Sequence, residues 1–538
     1  MIKRLFSRQS KTITGAAIIL AGASFISRIV GFLRDRIFAH QFGAGDTLDI
    51  YYAAFRVPDT VYNLIVIGAL SAGFIPVFSR LMKKNAPEAL RVTNSVINVL
   101  GAFLVTVSTL LFIFTPYIMP FLVPGFEGEK MEMTILLTRI MFLSPIILGI
   151  SGIFSSVLQT FKAFVIYALT PIVYNIGIIV GALVFEPIFG IKGLAFGVIL
   201  GALLHLLIQL PALRHYKFSY QWVWDIKNKH VREIGRSMIP RTLALATNQV
   251  NLLVITIIIS TLAAGSLTVF NFASNIQFLA LGVIGYAFAN AAFPTFAALA
   301  AEHKTKKLIE HISRTIRQIL FFAVPLTVIF LLLRAQIVRV LFGTGAFDWA
   351  ATNVTANTLA FFSLSLIAQC LIPLLSRVFY VLHDTWTPFV IGVISTLVNV
   401  VFALIFKDSL GIAGLALAFS ISMLVQAALL WIVLRVKKLK SLQELRILHF
   451  LYKIILAGMT MAAVVQMLKY PLSTIVDMTR FWGIFTQGAI AGTIGLLVYF
   501  VIGFLFELEE VQIIMKSLKR QWLKLQNVQV DINEADNI

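Results

Sequence analysis

The chain has 538 residues, of which 59% are hydrophobic and 13% are charged, and its net charge is +20. Soluble domains carry charge on roughly a quarter of their residues, so this composition excludes an ordinary water-soluble protein and indicates an integral membrane protein. The single cysteine, Cys370, excludes an intrachain disulfide and a cysteine-based metal cluster.

Apolar windows of the roughly 20 residues needed to cross a bilayer recur from end to end. We therefore predict an all-α polytopic membrane protein with fourteen transmembrane helices, called spans 1 to 14. Their expected positions are 13–38, 49–80, 92–122, 135–160, 163–186, 193–213, 239–262, 267–299, 313–342, 353–382, 387–407, 411–435, 448–468 and 482–507.

Basic residues are concentrated in alternate loops. Clusters of lysine and arginine precede span 1 and follow spans 2, 6, 8, 12 and 14, whereas the loops HQFGAGDTLD, VPGFEGEKMEM, LAAGS and GTGAFDWAATN hold only Lys130. This is the positive-inside pattern, so both termini are expected in the cytoplasm. The net charge is then explained by topology, and nucleic-acid binding is not expected.

Two short sequences recur at nearly the same offset, which indicates an internal duplication. Gly190 in FGIKGLA and Gly411 in LGIAGLA lie 221 positions apart, and Pro76 and Pro294 lie 218 positions apart. Two six-helix lobes related by a parallel repeat are predicted, with two C-terminal helices appended. The expected division is 1–225 for the first lobe, 226–440 for the second, 441–510 for spans 13 and 14, and 511–538 for a cytoplasmic tail.

Charged side chains continue the first apolar span, in the stretch SRIVGFLRDRIFAHQFGAGDTLD. At roughly 100° per residue, Ser27, Arg28, Arg34 and Asp35 fall on one side of a helix. The other side is apolar and comprises Phe25, Ile26, Ile29, Val30, Phe32 and Leu33. Charged residues at membrane depth normally face a bundle interior or a water-filled cavity, so the polar side is expected to line one.

Span 2 repeats this design, since Tyr52, Arg56, Asp59 and Asn63 follow at helical spacing and share a face. Pro58 is expected to interrupt the backbone ladder between them. Such a break at membrane depth is tolerated where the backbone lines protein or a cavity. Together the two polar faces predict a cationic, hydrated cavity between the lobes.

The charges allow two interpretations. Arg28 with Asp35, and Arg56 with Asp59, can be internal ion pairs that only fix helix packing. Alternatively, because Asp49 lies near the outer boundary, the deeper cavity keeps positive charge and binds an anion. A guanidinium binds phosphate in bidentate fashion, so a phosphorylated ligand is the natural candidate.

The stretch SRIVGFLRDRIFAHQFGAGDTLDIYYAAFRVPD, followed by GALSAGFIPVFSRL, resembles the first two helices of the MurJ/MviN lipid II flippases of the MOP exporter superfamily. Further similarities are LQTFKAFVIYALTPIVYNIG, PRTLALATNQVNLLV, LFGTGAFD and SRVFYVLHDTWTP, and the resemblance covers residues 14 to 510. It implies export of undecaprenyl-diphosphate-linked disaccharide-peptide by alternating access, from the inner to the outer leaflet of the bacterial cytoplasmic membrane. Spans 13 and 14 would form a groove for the lipid tail.

The resemblance also implies site residues. Ser27, Arg28, Arg34 and Asp49 match positions implicated in transport, and Arg56 stands where the family has a basic residue. Arg28 and Arg34 are expected to bind the diphosphate. The candidate site is completed by the cavity-facing Asp35, Asp59 and Asn63.

Four positions depart from the family pattern. Tyr62 and Asn275 stand in place of arginines, Ile67 in place of a glutamate, and Phe278 in place of an acidic residue. The predicted second lobe therefore contributes no obvious cation, and ligand clamping is expected to be asymmetric.

Other functions stay open on the sequence alone. An enzyme of lipid-linked sugars should carry a carboxylate or histidine constellation on a large outer loop, and the outer loops here are short. A drug/cation antiporter needs an acidic cavity. Another MOP-type exporter of a lipid-linked oligosaccharide, or a non-transporting membrane scaffold, are the remaining alternatives.

No cofactor or metal is expected, and the membrane potential or an ion gradient is the candidate energy source. The protein is expected to be a monomer in contact with membrane lipids, with the cell wall synthesis machinery as a candidate partner. Two aromatic and basic stretches, QWVWDIKNKHVREIGR and EEVQIIMKSLKRQWLKLQ, are predicted to be helices lying on the cytoplasmic leaflet.

Overall fold

The computed structural model describes residues 13–67, 73–216, 218–513 and 515. These residues form helices and connecting turns without a β-strand, so the predicted all-α class is confirmed. The α-helices longer than one turn are α1 (Ile13–Phe42), α2 (Asp46–Val61), α3 (Ile75–Lys84), α4 (Ala86–Leu122), α5 (Gly128–Met141), α6 (Leu143–Thr160), α7 (Phe164–Val180), α8 (Lys192–Leu207), α9 (Leu210–His215), α10 (Lys229–Ser260), α11 (Ser266–Leu281), α12 (Ala287–Ala301), α13 (Thr305–Leu332), α14 (Arg334–Phe342), α15 (Trp349–Ser363), α16 (Leu366–Val381), α17 (Trp386–Val433), α18 (Glu444–Ile475) and α19 (Phe481–Leu505).

Several helices are extended or joined by wider π-type turns. These turns are Tyr62–Ile67, Gly181–Phe185, Gly282–Tyr286 and Leu434–Leu439, and a single α-turn, Glu186–Phe189, follows the second of them. The break predicted at Pro58 therefore lies about one turn later. Pro58 removes one backbone donor but stays within α2, and the helix widens only at Tyr62.

Nine helical segments of the described residues are long and apolar enough to cross a membrane, or ten if the bent pair α15 and α16 forms one span. The protein is therefore a multi-pass membrane protein. Helices α1, α2 and α10 occupy predicted spans 1, 2 and 7 without being among the nine, and α17 covers spans 11 and 12 in one segment. The number fourteen stays a prediction.

The two glycines of the predicted repeat share an unusual backbone geometry. Gly411 breaks α17 with φ 57° and ψ −135°, and Gly190 precedes α8 with φ 63° and ψ −153°. Glycine adopts a positive φ at little cost. The two matched sequences thus make the same turn, which supports the repeat, while the lobe boundaries stay predictions.

The chain divides into two compact units. Unit 1 comprises Met1–Phe272, Leu341–Val354 and Val400–Leu415, and unit 2 comprises Ala273–Val340, Thr355–Asn399 and Ala416–Ile538.

In unit 1, helices α7 and α8 pack at very short distance because glycines face each other. A Cβ on Gly177 would lie 2.3 Å from the backbone of Gly201, and one on Gly181 would lie 2.5 Å from that of Gly197. Small residues allow this close approach between membrane helices. The pair forms a firm support for α1, which packs along α7.

In unit 2, the hairpin of α18 and α19 packs on α13. The Tyr499 hydroxyl donates to the backbone oxygen of Phe321 at 2.9 Å. Beyond α19, Glu509 and Glu510 bind Arg317 of α13 at 3.0 and 2.9 Å. The predicted lipid-tail groove on this hairpin stays a prediction.

The prediction of a surface helix for QWVWDIKNKHVREIGR is wrong in its first half. Residues 218–225 have no regular secondary structure, and α10 begins only at Lys229. The reason is that polar side chains of α4 bind the backbone of this segment, which replaces intrahelical hydrogen bonds. Most of the second stretch, beyond residue 515, lies outside the described residues.

Candidate functional site

Arg34 is held by polar partners on α1 and α7. Its Nε and Nη2 donate to Asp35 Oδ1 at 3.0 and 2.7 Å, and its Nη1 donates to Asn175 Oδ1 at 3.0 Å. Asn175 Nδ2 donates in turn to the backbone oxygen of Pro171, which fixes the orientation of the amide. Asp35 is only 2% exposed. One carboxylate and one oriented amide therefore hold the guanidinium in place.

Aromatic side chains surround this cluster. The Phe38 ring lies 6.0 Å from Arg34 Cζ, and the ring of Tyr51 packs edge-on against Phe38 at 5.1 Å. The Tyr52 hydroxyl is buried and has no hydrogen-bond partner among the described residues. Low polarity around a cation strengthens its attraction to an anion, and Tyr52 offers an additional donor.

The predicted two-sidedness of α1 is present in the structure. Asp35 is buried, Arg34 and Ser27 are half-buried, and Arg28 is exposed. The apolar side presents its large side chains outward, namely Phe25, Ile26, Ile29 and Leu33. Arg28 and Arg34 are separated by six residues, or roughly 9 Å along the helix axis.

On α2, Arg56 and Asp59 do not form the ion pair that one interpretation of the sequence predicted. Asp59 Oδ2 accepts a hydrogen bond from Asn63 Nδ2 at 2.9 Å. Arg56 Nε is buried, and no partner for it exists among the described residues. Because an unsatisfied buried donor is costly, Arg56 is poised to bind a ligand oxygen.

Asp49, in the first turn of α2, contacts the start of α11. Its Oδ2 accepts from the Gly265 amide at 2.8 Å, and its Oδ1 accepts from the amide and hydroxyl of Thr268 at 2.9 and 2.8 Å. The carboxylate thus caps a helix N-terminus, where the helix dipole favours negative charge. Sequence reasoning missed this contact, and a role for Asp49 in substrate binding stays a prediction.

The end of α1 is fastened by the loop LFGTGAFD, to which sequence reasoning assigned no role. The Ala346 amide donates to the backbone oxygen of His40 at 2.9 Å, and Arg36 Nη1 donates to that of Leu341 at 3.2 Å. A Cβ on Gly345 would lie 2.2 Å from the same His40 oxygen. The glycine in this loop therefore allows the close contact that positions the charged end of α1.

The departures from the family pattern add no cation. Tyr62 is half-buried at the start of the wide turn after α2, near Asp59 and Tyr167. Asn275 is a half-buried residue of α11, and the Phe278 side chain is 47% exposed. The side chain of Ile67 lies outside the described residues.

Comparison with known proteins gives a consistent result. The family model described as "Lipid II flippase MurJ" matches residues 38–485. A "Probable lipid II flippase MurJ" of Rhizobium tropici is 28% identical over 94% of this chain and 96% of its own length.

Solved structures agree in fold. A structure titled "Lipid II flippase MurJ, inward closed conformation" superimposes with a TM-score of 0.76 at 24% identity, over 91% of this chain and 98% of that one. An inward-facing multidrug resistance MATE family transporter of the MOP superfamily gives 0.66 at 17% identity, over 79% of this chain and 99% of that one. At these identities the likeness concerns the fold alone.

Proposed function

Because the chain belongs to the lipid II flippase MurJ family, we propose that it moves lipid II from the inner to the outer leaflet for cell wall synthesis. The observation that carries this proposal is the buried Arg56 Nε without a partner in the described chain, in the same unit as the Arg34 cluster. The ligand that such groups suit is a diphosphate, since guanidinium groups bind phosphate oxygens strongly.

The diphosphate is expected to take the place of existing partners of Arg34. Its oxygens would replace the Asn175 amide and share the guanidinium with Asp35. Arg28 would bind from the preceding turns of α1, with Ser27 as an additional donor. Arg56 and the Tyr52 hydroxyl would supply donors from α2. In this proposal Asp59 and Asn63 orient the face of α2 by their mutual hydrogen bond.

Release toward the outer leaflet requires a conformational change, and Asp49 is well placed to control it. Its three hydrogen bonds tie the start of α2 to the start of α11. Hydrogen bonds to a charged group each contribute about 1.5–3 kcal/mol. Breaking the set would favour separation of these helix ends, as alternating access demands.

The remaining features of the proposal follow from the charge pattern. Both termini are expected in the cytoplasm, because basic clusters alternate with loops that hold few basic residues. A membrane potential or an ion gradient is the proposed energy source, and no cofactor is proposed. We expect a monomer that works beside the cell wall synthesis machinery.

A drug/cation antiporter is the competing function suggested by the shared fold. Such a protein needs an acidic site for cations. Here Asp35 is bound to Arg34 and Asp59 to Asn63, while Arg56 lacks a partner in the described residues. The site therefore suits an anion better than a cation.

A depletion-rescue experiment tests the proposal. The gene is supplied to bacteria depleted of their own lipid II flippase, as wild type, Arg28→Ala, Arg34→Ala or Arg28→Lys. Wild type is expected to restore growth, and both alanine variants are expected to fail at normal membrane levels. Rescue by every variant would reduce the arginines to packing residues.

A second measurement does not depend on the host cell, so it separates a wrong substrate from incompatibility of the protein with that host. Purified protein in liposomes is given lipid II, and its exposure on the opposite leaflet is followed by an added transglycosylase. Transport by wild type and its loss in Arg34→Ala are expected. No transport of lipid II by the wild type would contradict the proposed substrate.

A further inference from the structure

A segment of unit 1 without regular secondary structure, residues 218–225, is bound to α4. The side chains of α4 that bind the backbone of this segment are buried. Three hydrogen bonds anchor the segment: Asn94 Nδ2 to Ser219 O at 3.1 Å, Asn98 Nδ2 to Val223 O at 2.9 Å, and the Asp225 amide to Ser95 Oγ at 3.1 Å.

The segment and the turn after it expose a large side chain at every second position, and the Tyr220 hydroxyl among them also donates to Asn98 Oδ1 at 2.7 Å. The exposed row consists of Tyr220, Trp222, Trp224 and Ile226, with Trp222 76% exposed. The two indole rings stack with centroids 6.5 Å apart. We call these four residues the aromatic row.

The aromatic row is anchored to α4 just before the exposed apolar part of that helix begins. With 37 residues, α4 is about 55 Å long, which exceeds the roughly 20 residues that a bilayer requires. Exposed large apolar side chains on α4 begin at Phe103. The anchor Asn98 precedes Phe103 by about 7.5 Å along the axis. Tryptophan and tyrosine favour this interfacial depth.

An apolar pocket of about 170 Å³ opens between α4 and the first turns of α10, the helix that follows the anchored segment. Its wall is contributed by α4, the first turns of α10 and the residue before α3. Among the lining residues are Val99, Phe103, Ile234, Gly235, Met238 and Phe74. A Cβ on Gly235 would meet no atom within 4 Å, so this side of the pocket is open space.

Exposed basic side chains occur in the same turns of α10 that line the pocket. The first turns of α10 expose Lys229, Arg232 and Arg236, and the end of α3 exposes Lys83 and Lys84. The acidic residues of this region already have partners, since Glu88 binds Asn228, Asp225 binds Arg91, and Glu233 binds Arg80. Basic residues at the membrane surface attract anionic lipid headgroups.

We propose that this pocket binds one acyl chain of an anionic phospholipid from the cytoplasmic leaflet. The phosphate would lie near Arg232 and Arg236, and the aromatic row would contact the glycerol region. The apolar wall, the interfacial depth of the row and the basic rim support the same occupant. This site is separate from the polar faces of α1 and α2, and it does not depend on lipid II as substrate.

Tryptophan fluorescence provides the test. Delipidated full-length protein in detergent is titrated with brominated phosphatidylglycerol and, separately, with brominated phosphatidylcholine of the same acyl chains. The quenching due to the aromatic row is the difference between wild type and the double variant Trp222→Phe/Trp224→Phe. Saturable quenching by phosphatidylglycerol is expected, with phosphatidylcholine binding roughly tenfold more weakly.

Two glycine variants make the test specific to the pocket. Gly235→Leu fills the open side and is expected to weaken phosphatidylglycerol binding about tenfold, as expected when roughly two methylene groups lose their burial. Gly101→Leu is the matched control, because a Cβ there also meets no atom within 4 Å and Gly101 does not line the pocket. Arg232→Gln/Arg236→Gln is expected to abolish the preference for phosphatidylglycerol.

Three results would overturn the proposal. The first is unchanged binding by Gly235→Leu with an unchanged melting temperature. The second is equal affinity for the two lipids in the wild type. The third is saturable binding only after removal of residues 516–538, which would identify the chain's own basic tail as the occupant.

Discussion

Two arginines within apolar helices, Arg317 of α13 and Arg56 of α2, have opposite surroundings. The terminal nitrogens of Arg317 contact Glu509 and Glu510 at 2.9–3.1 Å. Arg56 makes no ion pair among the described residues, and Asp59, one helical turn away, is bound to Asn63 instead. The Nε atoms of both arginines lack a partner in the described chain, so the difference lies in the carboxylates.

The comparison separates a structural charge from one available to a ligand. A buried charge is tolerated when an opposite charge and hydrogen bonds compensate it. Arg317 meets this condition within unit 2 and needs no ligand. Arg56 does not meet it within the described residues of unit 1, which is the reason for assigning it a ligand. Four experiments test this distinction.

The largest effect is expected from Arg317→Ala. Removal of one partner from a buried ion pair costs about 3 kcal/mol or more in the free energy of unfolding, and here the buried Glu510 loses its contact with Arg317, whereas Glu509 keeps Arg446. Thermal unfolding of the purified protein measures the loss. Arg446→Ala is the control, because Arg446 binds Glu509 while both side chains are about half exposed, and it should cost roughly 0–1 kcal/mol. Equal losses in the two variants would remove the distinction.

Arg56→Ala is expected to act on transport instead of stability. Loss of a charge-assisted hydrogen bond, about 1.5–3 kcal/mol, should slow lipid II transport roughly 10- to 100-fold, while the melting temperature is unchanged or higher. Arg56→Lys keeps the charge but not the fork geometry and should give an intermediate rate. A lowered melting temperature with normal transport would place Arg56 beside Arg317 as a structural residue.

Tyr52→Phe tests the second buried donor without a partner in the described chain. Deleting the hydroxyl should slow transport about 2- to 10-fold, since a neutral hydrogen bond contributes about 0.5–1.5 kcal/mol. Stability should not fall, because an unsatisfied polar group is removed. Tyr216→Phe is matched, since the Tyr216 hydroxyl is likewise buried without a partner but its ring stacks on Phe161, away from the site. A transport defect of similar size in the control would contradict the assignment.

The smallest effect is expected at a charge outside the membrane. The Thr387 backbone amide and the Lys438 ammonium lower the pKa of Asp384 to about 2. In the unfolded chain the pKa of this carboxyl is about 3.9. The stabilisation that the folded-state contacts of Asp384 provide is therefore present above that pH and is lost as the pH falls from about 4 through 2. Asp384→Asn should cost roughly 1 kcal/mol at neutral pH and flatten this part of the stability profile. A profile that keeps its slope in the variant would assign the pH dependence to other groups.

Features that depend on neighbouring residues in the chain were predictable. Hydropathy gave the membrane class and most helices, and helical periodicity placed Arg34 and Asp35 opposite the exposed apolar side of α1. The repeat search found Gly190 and Gly411, which make the same turn. Each of these follows from composition, from the 3.6-residue period, or from the freedom of glycine, all of which a local sequence specifies.

The partners of the charged residues came only from the tertiary structure. One interpretation of the sequence paired Asp59 with Arg56, but Asn63 binds Asp59 instead. The contact of Arg34 with Asp35 was not foreseen. Asn175 reaches Arg34 across 141 positions of sequence, and Asp49 caps a helix that begins more than 200 positions later.

The sequence by itself therefore determined which side of each helix is polar, and tertiary packing decided what that side meets. A periodic pattern fixes the direction of a side chain about its own helix axis, whereas its partner depends on which helices are neighbours. The segment at 218–225 shows the same limit, because its non-helical form depends on Asn94, Ser95 and Asn98 of α4, more than 120 positions earlier. Local propensity cannot contain that information, since the compensating hydrogen bonds exist only after the helices have packed.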